Sequence, residues 1–326
     1  MRRVAGPWIG TARIAMLCTA MMLSACASRQ PAPEPVAAEP ELIAELPPPI
    51  LKDKPAAIIP AVTRLPPVAI VMTSNQPAYA DVAQELANRF PDYELYDLSD
   101  RSRPPVSVLR SINDSDSFAV LAVGLRAAQS SVAMAEMPVV FCQVFNHQDH
   151  DLLHENSRGV ASIAPLDAQL ATWKKLDPGI SRIGVIIGEG HAELVAQAEA
   201  AALQYSVELD VRIARTDQET LYHFRRMIRN INGFWLFPDN RILSARVLQE
   251  MLDEAKAQHV PVAVPNEAML TMGAAISMTT VAADIAETMV NVIRRIQAGQ
   301  LSDVPPISRL SEIHVETNDE IRVVVR

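Results

Sequence analysis

From residue 68 onward, short apolar runs alternate with stretches in which apolar residues recur at three- and four-residue intervals. The first kind of segment reads as buried strand and the second as helix packed on it. Val68–Ser74, Tyr93–Leu98, Phe118–Gly124 and Pro138–Val144 are predicted strands, with helices over Ala78–Phe90 and Ala127–Ala135. Val160–Ala164 adds a short strand that stops at Pro165. The pattern then restarts with helix Asp167–Leu176, strand Arg182–Gly188, helix Ala192–Tyr205 and strand Val207–Ile213. Helix Gln218–Ile231, strand Gly233–Phe237, helix Ser244–His259 and strand Pro261–Val264 follow. A last helix covers Val281–Ala298, and Ile313–Val315 and Ile321–Val325 read as strand. Strands alternating with helices pack as parallel sheets joined by right-handed crossovers. Two such runs meeting at Pro165 predict two Rossmann-like α/β lobes. Residues 68–165 with about 281–326 form the first, and residues 166–280 the second.

The first 67 residues are different material. Arg2 and Arg3 precede an apolar stretch, Ile14–Leu23, too short to span a bilayer. It suits a secretory signal over residues 1–25. Leu23-Ser24-Ala25-Cys26 resembles the bacterial lipobox, which implies cleavage before Cys26 and lipid on its thiol. Residues 27–67 hold eleven of the 24 prolines and no glycine, so residues 26–67 read as an extended tether behind the lipidated cysteine. Ala27 stands where an aspartate usually marks retention in the inner membrane of Gram-negative bacteria. The expected location is therefore the cell envelope, lipid-anchored and facing the periplasm, with the outer membrane favoured over the inner.

Composition narrows the functions. The net charge is −9, and loss of residues 1–25 would leave 26 basic against 38 acidic residues. Such a chain lacks the basic stripe that displaces counterions from nucleic acid. Three cysteines cannot build a disulfide framework. Cys142, inside Val139-Val140-Phe141-Cys142, reads as a small buried hydrophobe. No Gly-x-Ser-x-Gly elbow or phosphate loop is present, so nothing points to an enzyme or to a cofactor.

Parallel sheets bind ligands beyond the carboxyl ends of their strands. In the first lobe those loops hold Ser74, Asn75 and Gln76, then Gly124, Leu125 and Arg126, then Asn146. In the second they hold Glu189, Asp239, Asn240, Asn266 and Glu267. Asp239 suits either a ligand ammonium or a helix cap. Arg126 suits either a ligand carboxylate or a solvated surface, and Tyr79 either stacks on a ligand or packs. His147, His150 and His154 would share a helix face, but neither a Cys–His framework nor a His-Glu-x-x-His motif accompanies them, so a polar loop is expected and no metal. Gly188-Glu189-Gly190-His191-Ala192-Glu193 lacks the third glycine of a dinucleotide loop and puts a carboxylate there.

The order of these motifs resembles the substrate-binding proteins of ABC transporters with the type I periplasmic-binding-protein fold, in the branch linked to aromatic amino acids. It runs from Val68 to Asn318 and is carried by Pro138–Phe141, Arg182–Val185, Phe237-Pro238-Asp239-Asn240 with Ser244, Pro261-Val262, Met272-Gly273-Ala274 and Ile313–Asn318. The resemblance implies a clamp that closes on a small solute, an amino acid among the candidates, and presents it to an ABC permease. It makes Gln76–Tyr79 a contact loop and matches Asp239-Asn240 directly, while Leu125 stands where threonine is common and Asn146 where aspartate is. These departures, the long tether and Ala27 also fit a second reading: an envelope lipoprotein that uses the fold to bind a protein partner.

Overall fold

The computed structural model describes residues 64–239 and 241–318. Cys26, the tether up to residue 63, the tail strand Ile321–Val325 and Asn240 lie outside the described residues. Five strands come first: β1 (Val68–Met72), β2 (Tyr93–Asp97), β3 (Ala119–Val123), β4 (Val139–Cys142) and β5 (Ser157–Val160). They alternate with α1 (Pro77–Arg89), α2 (Pro105–Asn113) and α3 (Leu125–Met134). After α4 (Leu166–Leu176) come β6 (Arg182–Ile187), α5 (Ala192–Gln204), β7 (Glu208–Ile213), α6 (Asp217–Met227) and β8 (Gly233–Leu236). The series ends with α7 (Ala245–Ala257), β9 (Val262–Val264), β10 (Ile276–Thr279), α8 (Ala282–Gln297), β11 (Ile307–Ser308) and β12 (His314–Thr317).

These strands form two six-stranded sheets, ordered β11-β5-β4-β3-β1-β2 and β12-β10-β9-β8-β6-β7. Every pairing is parallel except β10 with β12. Period-two alternation decides which helix each side chain meets. On β1, Val68, Ile70 and Met72 join the cluster made with α1 and α8, while Ala69 and Val71 face the cluster of α2 and α3. Both faces of β1 are buried, as a parallel sheet covered by helices requires. The second sheet repeats the plan, with Phe234 and Leu236 of β8 facing α6 and α7 and Trp235 facing α4 and α5. Each fully buried side chain of this size contributes about 1.5–3 kcal/mol over an exposed one.

The chain passes between the sheets at three places: from β5 to α4, from β10 to α8, and from β11 to β12. Asp284, in the first turn of α8 and buried, fixes the third crossing. Its carboxylate accepts the N–H of Ser311 at 2.8 Å, the Ser311 hydroxyl at 2.7 Å and the N–H of Glu312 at 2.9 Å.

Several predicted bounds shift. The assignment of all of 281–326 to the first lobe is corrected at β12: α8 and β11 pack with the first sheet, but residues 314–317 pair with β10 in the second. Without β12, β10 would be the unpaired edge of the second sheet, and the crossing at Ser311 delivers the chain to it. The short strand predicted at Val160–Ala164 lies at Ser157–Val160 instead. There the Arg158 guanidinium donates to the carbonyls of Leu301 (3.0 Å) and Val304 (3.1 Å). Helix α2 and strand β10 are additions. Helix α2 begins at Pro105, since proline is compatible with a first helical turn, and Val108, Leu109 and Ile112 are its buried residues. Cys142 is fully buried in β4, and burial pushes its thiol far above the ordinary range.

Candidate functional site

A cleft of about 830 Å³ is lined from both sheets. The first lobe contributes the start of α1, with Gln76, Asp81 and Val82, and the loops after β4 and β5, with Gln143 and Ser162. The second contributes the end of β8 through Asp239, the start of α7 and the loop after β9, with Asn266, Glu267 and Met269. The β10–α8 crossing, Thr279 to Ala282, closes its back. These are carboxyl ends of parallel strands and the starts of the helices that follow, where such sheets hold ligands.

Of the residues singled out from sequence, Gln76, Asp239, Asn266 and Glu267 line the cleft. Ser74, Asn75, Tyr79, Gly124, Leu125, Arg126, Asn146 and Glu189 are not in its lining. Tyr79 is packed: a Cβ built on Gly124 would stand 2.9 Å from its ring and 2.7 Å from Thr73 Oγ1. Gly124 also has φ +87°, a left-handed conformation that glycine adopts without strain. Thr73 Oγ1 accepts the Ala127 N–H at 3.1 Å, capping the first turn of α3. Leu125 packs into the apolar cluster of the first lobe, and Arg126 is exposed. Exposed Glu189 pairs with Arg215 at 2.6 Å. Asn266 caps the short turn after it, its Oδ1 accepting the Ala268 N–H at 2.9 Å.

Asp239 has a definite partner that the sequence reading did not name. Its side chain is 1% exposed, and Arg241 grips it with Nε on Oδ1 at 2.8 Å and Nη2 on Oδ2 at 2.8 Å. The Gly188 N–H donates to Oδ2 at 2.9 Å, an approach that a side chain at Gly188 would block. Burial alone would raise the Asp239 carboxyl, but the Arg241 guanidinium, with the Arg241 and Gly188 N–H groups, holds it below the usual carboxylate range. The same hydrogen bond raises Arg241 above its ordinary value.

The network continues across the lobes. The 3-10 turn at His147–His150 follows β4, and its Asp149 accepts from Arg241 Nη1 at 2.7 Å. Asn146, also in that loop, donates to Asp239 Oδ1 at 3.3 Å. Its Oδ1 lies 2.9 Å from His191 Nε2. Arg241 Nη2 lies 2.8 Å from the same nitrogen, beside its bonds to Asp239 and to the Glu189 carbonyl. His191 Nε2 thus sits between the Asn146 amide oxygen and the Arg241 guanidinium, and its tautomer decides which of the two it bonds. Its ring also packs on Phe145, centroids 4.7 Å apart, and Phe145 sits against the core of the second lobe. Burial lowers the His191 pKa, and the Arg241 cation lowers it further. A serviceable sequence signal was Asp239 and Arg241 two residues apart, the spacing at which an arginine can fold back on a carboxylate.

Side chains able to ligate a metal gather away from the His147–His154 run. Among the described residues, the His and carboxylate atoms that gather within 4.8 Å belong to Glu267, His314 and Glu316, all exposed, and not to His147, His150 and His154. His147 is held near Phe141, and His150 Nδ1 lies 3.2 Å from the Gln129 amide.

The comparisons with known proteins agree with this geometry. No curated protein matches the chain. Among solved structures, a ligand-free, open substrate binding protein with adhesive properties from Clostridium difficile is 15% identical with a TM-score of 0.59, covering 80% of this chain and 95% of that one. The ABC domain in complex with L-Trp from Streptococcus pneumonia is 16% identical with a TM-score of 0.54, over 80% and 94%. A conserved domain protein from Vibrio cholerae is 17% identical with a TM-score of 0.52, over 79% and 93%. At such identities the likeness is one of fold, here the two-lobed type I periplasmic-binding-protein architecture. The profile of the ABC transporter substrate binding proteins matches residues 99–321. That family is one of solute-binding proteins, not enzymes, and this chain, with two parallel sheets opening on one cleft, belongs to it.

Proposed function

We propose that the protein is the membrane-anchored solute-binding lipoprotein of an ABC-type importer, taking a small solute in the interlobe cleft. The observation that carries this reading is the cleft of about 830 Å³, bounded by strand ends of both lobes and by a chain crossing between them. A volume of this order suits a small organic ligand. The L-Trp held by the pneumococcal structure makes an amino acid one candidate class. The anchor is Cys26 in Leu23-Ser24-Ala25-Cys26, and the tether over residues 27–67 gives the body reach from the membrane. Two or more acyl chains at about 0.8 kcal/mol per buried methylene would hold it there. Ala27, where an aspartate usually marks inner-membrane retention, supports the periplasmic face of the outer membrane over the inner in this reading. Calorimetry of the full chain against a broad solute library tests the reading. A saturable ligand is expected, and no binder across sugars, amino acids and amines would overturn it.

A second reading, a non-transport envelope lipoprotein that binds a protein partner, draws on a specific observation. The family-like Asp239 is already satisfied by Arg241, and that pair reaches across to Asp149 without any solute. Crosslinking in cells that traps an envelope protein and no permease would favour this alternative.

A further inference from the structure

We propose that the cleft selects a carboxylate-free organic cation with an apolar body, an amine in preference to an amino acid. This rests on reading the cleft as a solute site. Three ionisable side chains line it, Asp81, Asp239 and Glu267, and all are acids; no Lys, Arg or His is among the described lining residues. Asp239 is not free, because Arg241 covers both of its oxygens at 2.8 Å. It cannot serve as counter-ion to a ligand ammonium without giving up that pair. Asp81 on the first lobe and Glu267 on the second remain, one on each jaw and both exposed. Glu267 keeps a looser contact, 3.4 Å, with the exposed His314.

A carboxylate entering the same space would find no cationic side chain among the described lining residues. Anions bind where a cation or free backbone N–H groups await them. Arg126, the cation that the sequence offered for this purpose, is not in the lining. Two of the starts that open on the cleft carry a side-chain cap, while α1 and α8 have none. Helix α7 is capped by Ser244 Oγ, which accepts the Val247 N–H at 3.4 Å. The turn after β9 is capped by Asn266. Helix α1 opens on Pro77, which has no N–H to give. Beside Asp81 and Glu267 the wall carries apolar Val82, Phe237, Leu243, Leu248 and Met269 together with neutral polar side chains such as Gln76, Gln143 and Ser162. Such a wall takes the body of a ligand while the few polar groups fix its orientation. The combination fits an ammonium at the acids and a ring or branched chain between the lobes. A zwitterion would set its own carboxylate against the same acids.

Matched triplets test this on the full chain: tryptamine, L-tryptophan and indole-3-propionate; phenethylamine, L-phenylalanine and 3-phenylpropionate; isoamylamine, L-leucine and 4-methylpentanoate. Calorimetry reads affinity, and small-angle scattering reads whether the lobes move. Within at least one triplet the amine should bind about tenfold or more tighter than its amino acid and its acid, the worth of one charge-assisted contact. Asp81→Asn combined with Glu267→Gln should remove that advantage about tenfold while the melting temperature holds. Tighter binding by an amino acid or an acid would overturn the charge assignment and leave the clamp standing. Equal affinities across a triplet, or an amine preference that survives the double substitution, would also overturn it. If no compound binds, the proposal falls. Unmoved scattering curves, with a broad library that also fails, would then place the fault in the solute-binding reading itself.

Discussion

Arg241 joins two carboxylates and a backbone carbonyl, and its loss should be felt more than that of any nearby surface charge. Asp239, 1% exposed with Arg241 in place, would keep only backbone and Asn146 donors in Arg241→Ala. Removing one partner of a buried ion pair strands the other, and the partial exposure of Arg241 moderates the cost. A loss of about 2–3 kcal/mol is expected, or roughly 4–12 °C in Tm for a body of this size. Asp239→Asn, which keeps the shape without the charge, should cost less. Equal melting of Arg241→Ala and wild type would mean that water replaces the guanidinium without penalty.

Titration at the same place has a definite sign. His191 is depressed by burial first and by the Arg241 cation second, with His147 acting in the same sense and Asp239 and Asp149 opposing. A depressed folded value means that the unfolded chain binds the proton more readily. The stability contribution is therefore intact above the ordinary histidine value of about 6.5 and is lost as pH falls from there through the folded value. His147, lowered by its own burial, adds to this slope. The Tm of wild type should drop between about pH 7 and 5. His191→Gln should flatten that drop without abolishing it. Asp239 is depressed too, so its share is lost only at lower pH, below about 4. A His191→Gln profile as steep as wild type would assign the slope elsewhere.

At the scale of elements, the turn from β3 into α3 is a tight joint between a strand end and a helix start. Gly124 must be left-handed there, and it makes room for Thr73 Oγ1, which caps α3 from the neighbouring strand. Gly124→Ala should cost about 1–3 kcal/mol from φ strain and contact together. Thr73→Val, which removes the cap and keeps the bulk, should cost about 1 kcal/mol. If Gly124→Ala melts like wild type, the joint is slack. The elements that sequence pattern reveals share a physical trait: β1, β3, β4, β6 and β8 are buried runs in the middle of a sheet and need no partner to be recognised. Those it hides are short or marginal. Strand β5 carries Arg158, whose charge is spent on carbonyls. Strand β12 reads as strand in the sequence, but its allegiance to the second sheet depends on where Asp284 fixes Ser311, a contact 27 residues away. The candidate site follows the same rule. The strand-end loops are legible, and Gln76, Asp239, Asn266 and Glu267 in them line the cleft. Periodicity cannot say that Tyr79 turns onto Gly124, or that Arg241 folds back onto Asp239.

At the scale of the molecule, the lobes are joined by three crossings and by direct bridges between side chains, and the bridges bear on any movement of one lobe against the other. Asp149 to Arg241, at 2.7 Å, is one such bridge, and it differs in kind from the Asp239 pair beside it. Asp149 is 38% exposed, so the bond contributes little to the stability of either lobe, about 0–1 kcal/mol. Its role falls on the interlobe equilibrium, where a fraction of a kcal/mol shifts populations between open and closed arrangements severalfold. Asp149→Ala should therefore leave Tm nearly unchanged while it widens the distribution of lobe separations. Spin labels on exposed sites of α2 and α5, at Arg110 and Glu199, would read that distribution by pulsed dipolar spectroscopy. Wild type should give the narrower profile, and salt should broaden it toward that of Asp149→Ala, because an exposed pair is screened within about 10 Å at 0.1 M ionic strength. Identical distributions for the two proteins at low salt would show that Asn146 and Phe145 hold the edge without the ion pair. Arg241→Ala compared with Asp149→Ala would then separate the two effects, since the first disturbs the second lobe and the second only the bridge.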